Sequence, residues 1–198
     1  EQDWSLQVVN DSTFLDGEYR AVHNWPGVYR NEALHYLWGL FEEVKKDRMS
    51  EQTLVRETYT EAASKFGWIQ EAITHNIELA AAHIHVIDIL GHVYSDNEKT
   101  YRKVYEDVNE KVGEIRDTLS PDDELLIVSD HGMETTWLDD DSPGTHSWRA
   151  IASATTGSPP EHALDVRGWV ENHVREINPE RTRAEIPEDQ LRELGYIS

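Results

Sequence analysis

Three short segments of this sequence place carboxylates and imidazoles where they could hold a metal ion. In each segment an aspartate or a histidine lies close to a glycine and next to an apolar run. Carboxylate oxygens and imidazole nitrogens together suit zinc or a similar divalent ion. A single Asp-His-Gly is more often a capped turn with a surface histidine, but three such segments in one chain are hard to explain as packing or solvated surface. The candidate ligands are Asp88, His92, Asp130, His131 and His146.

The apolar runs next to these residues predict β-strands. Residues 125–128 are too few for a helix and rich in branched side chains, so we expect a strand buried on both faces. Residues 83–88 predict a second strand that ends near Asp88, and residues 150–154 predict a third. Buried strands of this kind belong to parallel sheets, and ligands bind beyond their carboxyl ends. We therefore expect Asp88 and Asp130 to lie at the same edge of one sheet.

Helices are predicted on both sides of these strands. Helical spacing of apolar residues predicts helices over residues 32–48 and 50–75, the second capped by Ser50. The capping box Ser95-Asp-Asn-Glu98 predicts a helix from residue 95 to about residue 119, and residues 161–177 predict another. Strand, helix and strand in succession indicate a parallel crossover unit. We expect one α/β domain over residues 1–198, with a mainly parallel sheet flanked by helices and Leu191 and Leu194 docking the polar tail.

Three motifs, taken in chain order, resemble the metal-binding half of the alkaline phosphatase superfamily. The most similar branch is the type I phosphodiesterase and nucleotide pyrophosphatase type, and the resemblance covers residues 80–155. It implies an alkaline phosphatase-like fold and hydrolysis of a phosphoric ester, most readily a diester, with a small phosphorylated substrate. Sulfatases and cofactor-independent phosphoglycerate mutases share parts of the pattern and remain alternatives. The motifs are Asp88-x-x-Gly91-His92, Ser129-Asp130-His131-Gly132 and Gly144-x-His146.

The resemblance also implies which residues hold which ion. Members of the superfamily bind two zinc ions a few ångströms apart, and manganese is a further candidate for this chain. By the resemblance, one ion would be held by three of the candidates and the other by the remaining two. The first set is Asp88, His92 and His146, and the second is Asp130 and His131.

Two expected parts of the superfamily pattern are missing before residue 80. These are an apolar strand that ends in a metal-ligating aspartate, and a threonine or serine nucleophile after it. Phe14-Leu-Asp-Gly17 imitates the strand end, but Ser12 and Thr13 lie on the wrong side of Asp16. We therefore expect the chain to be the C-terminal portion of a longer phosphodiesterase-like protein, without an identified nucleophile and inactive by itself. The alternative is a non-catalytic metal-binding fragment.

Four other features allow both a structural and a functional interpretation. His83 and His85 alternate onto one face of the predicted strand, opposite Asp88, and are interpreted as buried structural histidines, with support of the metal ligands as the alternative. Arg149 could bind an anionic substrate oxygen through its guanidinium, or form a surface ion pair. The acidic triplet at residues 139–141 is interpreted as a solvated loop rather than a calcium site.

The composition restricts partners and location. Asp plus Glu number 39 against 18 Lys plus Arg, a formal net charge of -21, so nucleic acid and anionic membranes are not expected as partners. The acid excess is spread along the chain, which favours a cytoplasmic protein of a salt-rich organism such as a haloarchaeon over an ordinary acidic protein. Molar salt shortens the Debye length to about 3 Å and would screen the self-repulsion. The absence of Cys excludes disulfides and thiolate ligands, and we recognise no membrane span or signal peptide.

Overall fold

The computed structural model describes residues 7–155 and 157–174. Helices dominate this part of the chain, and six short strands join in three pairs. Two 3-10 turns, Thr136–Leu138 and Ala163–Asp165, complete the regular structure. The other elements are β1 (Arg20–His23), α1 (Glu32–Lys45), α2 (Glu51–Ala72), β2 (Leu79–Ala82), α3 (Val86–Tyr94), α4 (Glu98–Thr118), β3 (Leu126–Ser129), β4 (Gly132–Met133), β5 (His146–Ser147), β6 (Ile151–Ala154) and α5 (Val166–His173).

The first two predicted helices are confirmed, and each is capped by a side chain at its start. Asn31 precedes α1, and its side-chain oxygen accepts the backbone N–H of Leu34 at 3.0 Å. Ser50 precedes α2, and its hydroxyl oxygen accepts the N–H of Thr53 at 3.2 Å. Each cap satisfies one of the donors that a helix leaves free at its first turn. The predicted cap of α2 by Ser50 is therefore confirmed.

The hydrophobic core lies between α3 and its helical neighbours α1, α2 and α4. Leu54 of α2, Ile89 and Leu90 of α3, and Val104 of α4 are almost entirely buried. Burying a side chain of this size stabilises the fold by roughly 1.5–3 kcal/mol. Because α3 is packed between other helices, it can neither rotate about its axis nor slide along it. The side chains on its polar face are therefore held in fixed positions.

The predicted strand at residues 83–88 is wrong. The strand of this region is β2, which ends at Ala82, and the chain enters helix α3 at Val86. The buried residues Val86, Ile89 and Leu90 follow helical spacing, i, i+3 and i+4. Over so short an apolar run, strand and helix patterns overlap. Asp88 consequently lies in the first turn of a helix, not at the end of a strand.

The predicted mainly parallel sheet is not formed by the described strands. β1 and β2 pair in parallel, joined by α1 and α2, whereas β3 pairs with β6 and β4 with β5 in antiparallel fashion. β2 and β3 belong to different sheets, so the predicted crossover between them is also wrong. β3 is not buried on both faces, since Ile127 and Val128 are 39% and 37% exposed. The mixture of helices and small sheets stays compatible with an α/β fold.

Several element boundaries also differ from the predictions. Asn97, not Ser95, caps α4, because its side-chain oxygen accepts the N–H of Thr100. Ser95 instead ends α3, and its carbonyl accepts the N–H of Thr136. The predicted helix at 161–177 is shortened to α5, and residues 175–177, like Leu191 and Leu194, lie outside the described residues. Over the described part of the chain, none of the helices combines the length and apolarity of a membrane span.

Gly91 lets α3 approach its neighbours closely. A Cβ at this position would lie 2.6 Å from the Tyr101 hydroxyl and 2.8 Å from Cε of Met133. The Tyr101 hydroxyl donates to the carbonyl of Ile87 at 3.2 Å, which ties α4 to α3. Any side chain at Gly91 must therefore displace the side chains of Tyr101 and Met133. The glycine of the first motif is a packing requirement of the helix that carries Asp88.

We predict that Gly91→Ala lowers the free energy of unfolding by about 1–3 kcal/mol, the usual cost of overpacking. The matched control is Gly113→Ala in α4, where a new Cβ meets no atom within 4 Å. That change should stabilise the helix by about 0.5–1 kcal/mol, because alanine is the better helix former. Urea unfolding in molar KCl measures both. Equal stability of the two variants would contradict the packing role of Gly91.

Candidate metal centre

Helix α3 supplies two of the candidate ligands. Asp88 and His92 are four residues apart, so their side chains lie on the same face one turn from each other. Both side chains are mostly buried, Asp88 being only 11% exposed. His92 Nε2 is 3.5 Å from Asp88 Oδ1. The strand end was expected to bring Asp88 and His92 together, and the helical spacing of the two residues does so instead.

His146 reaches the same point from the hairpin formed by β4 and β5. It pairs with Met133 across the hairpin. Its Nε2 lies 3.1 Å from Asp88 Oδ1 and 3.2 Å from His92 Nε2. Two ligand atoms on a tetrahedral zinc, with bonds of about 2.0 Å, are about 3.3 Å apart. The three atoms thus have the separations of ligands to one ion, and they form a possible metal-binding triad.

His92 is oriented by a backbone carbonyl. Its Nδ1 is 2.7 Å from the carbonyl oxygen of Gly144, which can only accept, so Nδ1 carries the proton and Nε2 offers a lone pair. Gly144 adopts φ +85°, a conformation that favours glycine. The rings of Trp38 and Phe41 lie 5.3 and 5.6 Å from the imidazole. The glycine of the Gly144-x-His146 motif therefore orients His92, which belongs to the first motif.

Asp88 is a buried carboxylate surrounded by imidazoles. Burial by itself would raise its pKa, but the close His85 and the charges of His85, His92 and His146 outweigh burial and lower the pKa to about 2. His85 Nε2 is 2.7 Å from Oδ2, although the angle at that nitrogen is poor for a hydrogen bond. Within the described chain, neither carboxylate oxygen has a well-aligned hydrogen bond. A cation would compensate this charge where hydrogen bonds do not.

Two imidazoles of this region, His146 and His83, have a lowered pKa, which favours their neutral form. Burial lowers the pKa of His146, although the Asp88 carboxylate acts in the opposite direction. Burial and the nearby cationic groups lower the pKa of His83 to about 3. Neutral imidazole is the form that coordinates a metal. A donor set of one carboxylate oxygen and imidazole nitrogens fits zinc or manganese.

His131 joins this cluster, whereas Asp130 stays at its edge. The His131 ring stacks on that of His146, with centroids 3.7 Å apart and an interplanar angle of 15°. Its Nε2 is 3.9 Å from Asp88 Oδ1 and 3.7 Å from Asp130 Oδ1. The Asp130 side chain is 89% exposed. In the described part of the chain, no second group of three His, Asp or Glu side chains has its ligand atoms comparably close together.

Arg149 is engaged by the loop between β4 and β5. Its terminal nitrogens lie 2.8 and 2.5 Å from the two oxygens of Asp140, and one of them donates to the Met133 carbonyl at 3.0 Å. The hydrogen bond from Arg149 and the N–H of Thr135 lower the pKa of Asp140. The sequence allowed two interpretations of Arg149, binding of an anionic substrate oxygen or a surface ion pair. The bidentate pair with Asp140 corresponds to the ion pair. The acidic triplet is not simply a solvated loop, because Asp140 braces the hairpin that carries His146.

The sequence interpretation missed the closeness of His85 to Asp88. On a strand the two side chains would point to opposite faces, but on a helical path their spacing of three brings them together. The available signal was the series His85, Asp88 and His92, which fits one helical face when the 3.6-residue period is tested. Asp16 is used locally, since it accepts the backbone N–H of Thr13 at 2.6 Å.

Comparison with protein families gives a match over nearly the whole chain. The family model for type I phosphodiesterase / nucleotide pyrophosphatase covers residues 4–193. The chain therefore belongs to the type I phosphodiesterase / nucleotide pyrophosphatase family, a family of hydrolases that typically depend on metal. Searches among curated proteins and among solved structures gave no match. The family predicted from residues 80–155 is thereby confirmed.

We predict that the chain takes up zinc and that His92→Ala/His131→Ala loses most of this affinity. Removing a residue that only supports a metal ligand usually weakens metal binding by about 10–100-fold. Losing two of the four imidazoles near Asp88 should weaken zinc binding by at least as much. Affinity should also fall below about pH 6, because protons then compete for the imidazoles. Calorimetric titration and elemental analysis measure both effects.

The matched control for this experiment is His75→Ala/His162→Ala, which removes two exposed histidines far from Asp88 in sequence. This variant should bind zinc like the wild-type chain. Equal uptake by all three proteins would mean that zinc binds to scattered surface groups, and the candidate centre would be wrong.

Proposed function

We propose that this chain forms the metal centre of a phosphoric ester hydrolase of the phosphodiesterase or nucleotide pyrophosphatase type, working with two divalent ions. The observation that carries the proposal is the convergence of Asp88 Oδ1, His92 Nε2 and His146 Nε2 within 3.1–3.5 Å of one another. Membership of a hydrolase family supports it independently. Zinc is the expected ion and manganese the alternative.

The five candidate ligands divide into two sets in this proposal. Asp88, His92 and His146 would hold one ion, and Asp130 with His131 would contribute to the other. Bound ions of this kind supply Lewis acidity to phosphoryl oxygens. The second set is the weaker one, because Asp130 is exposed and no further carboxylate of the described chain completes it.

Two hydroxyls near the candidate ligands are poor nucleophiles. The Ser129 hydroxyl donates to the carbonyl of His131, and the Thr145 hydroxyl donates to the carbonyl of Ser142 at 2.8 Å. A nucleophile of a covalent mechanism needs a base or a metal at its hydroxyl instead. In this proposal the nucleophile and the missing ligand of the second ion come from outside the described residues. The catalytic residue is therefore not among the candidates.

A non-catalytic metal-binding role is the second candidate function. The same two engaged hydroxyls favour it, because a centre without a nucleophile would bind but not turn over substrate. Sulfatase or phosphoglycerate mutase activity is the alternative within the enzymes and would use the same ligands. The high negative charge disfavours nucleic acid and anionic membranes as partners and supports a salt-rich cytoplasm. The expected small phosphorylated substrate rests on the family.

The activity test compares this chain with a version extended upstream in the parent gene, using bis-nitrophenyl phosphate with zinc or manganese in molar KCl. We expect only slow background hydrolysis from the chain itself, because no positioned hydroxyl is available. The extended version should hydrolyse the diester, and Asp88→Asn should abolish that activity, since the buried charge that holds the cation is lost.

Asp96→Asn, at an exposed position just beyond α3, is the matched control and should leave the activity unchanged. Strong turnover by the 198-residue chain that survives Thr13→Ala and Asp16→Ala would show that a nucleophile is present and unidentified. An extended protein that binds zinc but hydrolyses no diester would favour the non-catalytic role.

A further inference from the structure

The two oxygens of Asp88 face different groups. Oδ1 is turned towards the Nε2 atoms of His146 and His92, at 3.1 and 3.5 Å. Oδ2 is turned towards Nε2 of His85, at 2.7 Å. Ligand atoms that share a tetrahedral zinc are about 3.3 Å apart, whereas a charge-assisted N–H to carboxylate hydrogen bond is about 2.7–2.9 Å long. The first two distances are those of co-ligands, and the third is the short contact of an imidazole paired with a carboxylate, although its angle is poor for a hydrogen bond.

His85 packs between two partly buried aromatic rings. Its imidazole lies 6.0 Å from the Trp38 ring in an edge-on arrangement and 5.0 Å from the ring of His83. Its side chain is largely buried, and it lies directly before the first residue of α3. The Trp38 ring that packs near His85 also packs near His92. The position of His85 relative to Asp88 is thus fixed by the core and not by a mobile surface side chain.

We propose that His85 is a positioning residue that holds Oδ2 of Asp88 and so leaves Oδ1 as the single oxygen offered to the metal ion. This inference rests on the proposed metal centre and concerns a residue that lies outside the three motifs. A carboxylate fixed at one oxygen cannot rotate to bind the ion through both oxygens. Partners of this kind orient the ligand and typically change metal affinity by about 10–100-fold.

Three variants of the full chain test this role. His85→Phe keeps the ring that packs near Trp38 and removes both nitrogens. His85→Gln keeps a donor that can reach Oδ2. His75→Phe is the matched control, because His75 also lies near a carboxylate, Glu71 at 3.3 Å, but is 65% exposed. Zinc affinity is measured by competition with a chromophoric chelator, zinc content by elemental analysis, and ligand geometry by the visible spectrum of the Co²⁺-loaded protein.

We expect His85→Phe to weaken zinc binding by about 10–100-fold and to change the Co²⁺ spectrum, with the same number of ions bound at saturation. His85→Gln should recover most of the affinity and the wild-type spectrum, and His75→Phe should match the wild-type chain. Thermal melts of the metal-free proteins identify any effect of the variants on folding. A structural role of His85 alone would shift the melts of both His85 variants without the recovery by glutamine.

Two outcomes would overturn the inference while leaving the metal centre in place. Equal affinity and spectrum of His85→Phe and wild type would show that His85 does not position Asp88. Loss of one bound ion in His85→Phe would show that His85 is itself a ligand. If the wild-type chain bound no zinc, the proposed centre would fail, and the role of His85 would fail with it.

Discussion

The structure depends most on one buried negative charge, the carboxylate of Asp88. Taking an ionised carboxylate out of water costs several kcal/mol unless other groups compensate it. Here four imidazole nitrogens lie within 3.9 Å of its two oxygens. None of them forms a well-aligned hydrogen bond with either oxygen within the described part of the chain. The Asp88 carboxylate is therefore a fixed negative charge that a bound cation would compensate.

The scaffold around this charge has two rigid parts that meet at His92. Helix α3 carries Asp88 and is held by the packed faces of its helical neighbours. The hairpin of β4 and β5 carries His146 and is braced by the bidentate pair of Arg149 and Asp140. The contact from His92 Nδ1 to the Gly144 carbonyl links helix and hairpin directly. The site therefore depends on long-range contacts between segments that are about fifty residues apart.

The sequence was sufficient to predict the family and the first two helices, and it singled out the three residues that the structure brings together as a possible metal-binding triad. Candidate ligands are found by residue type and spacing, and the predicted cap at Ser50 follows a local rule. The strand at residues 83–88 could not be separated from a helix, because a short apolar run fits both patterns. That one error also placed His85 on the wrong side of Asp88. Sheet pairing depends on long-range partners, so the antiparallel pairing of β3 with β6 was not readable from local patterns.

The most direct test of the central claim is X-ray absorption at the zinc edge of the zinc-loaded chain, compared with its Asp88→Asn and His146→Ala variants. If Asp88, His92 and His146 share one ion, the wild-type spectrum shows imidazole scattering together with oxygen at about 2.0–2.2 Å. His146→Ala should then lose part of the imidazole scattering, and Asp88→Asn should lose most of the zinc. A spectrum with oxygen ligands alone, unchanged in both variants, would contradict the account.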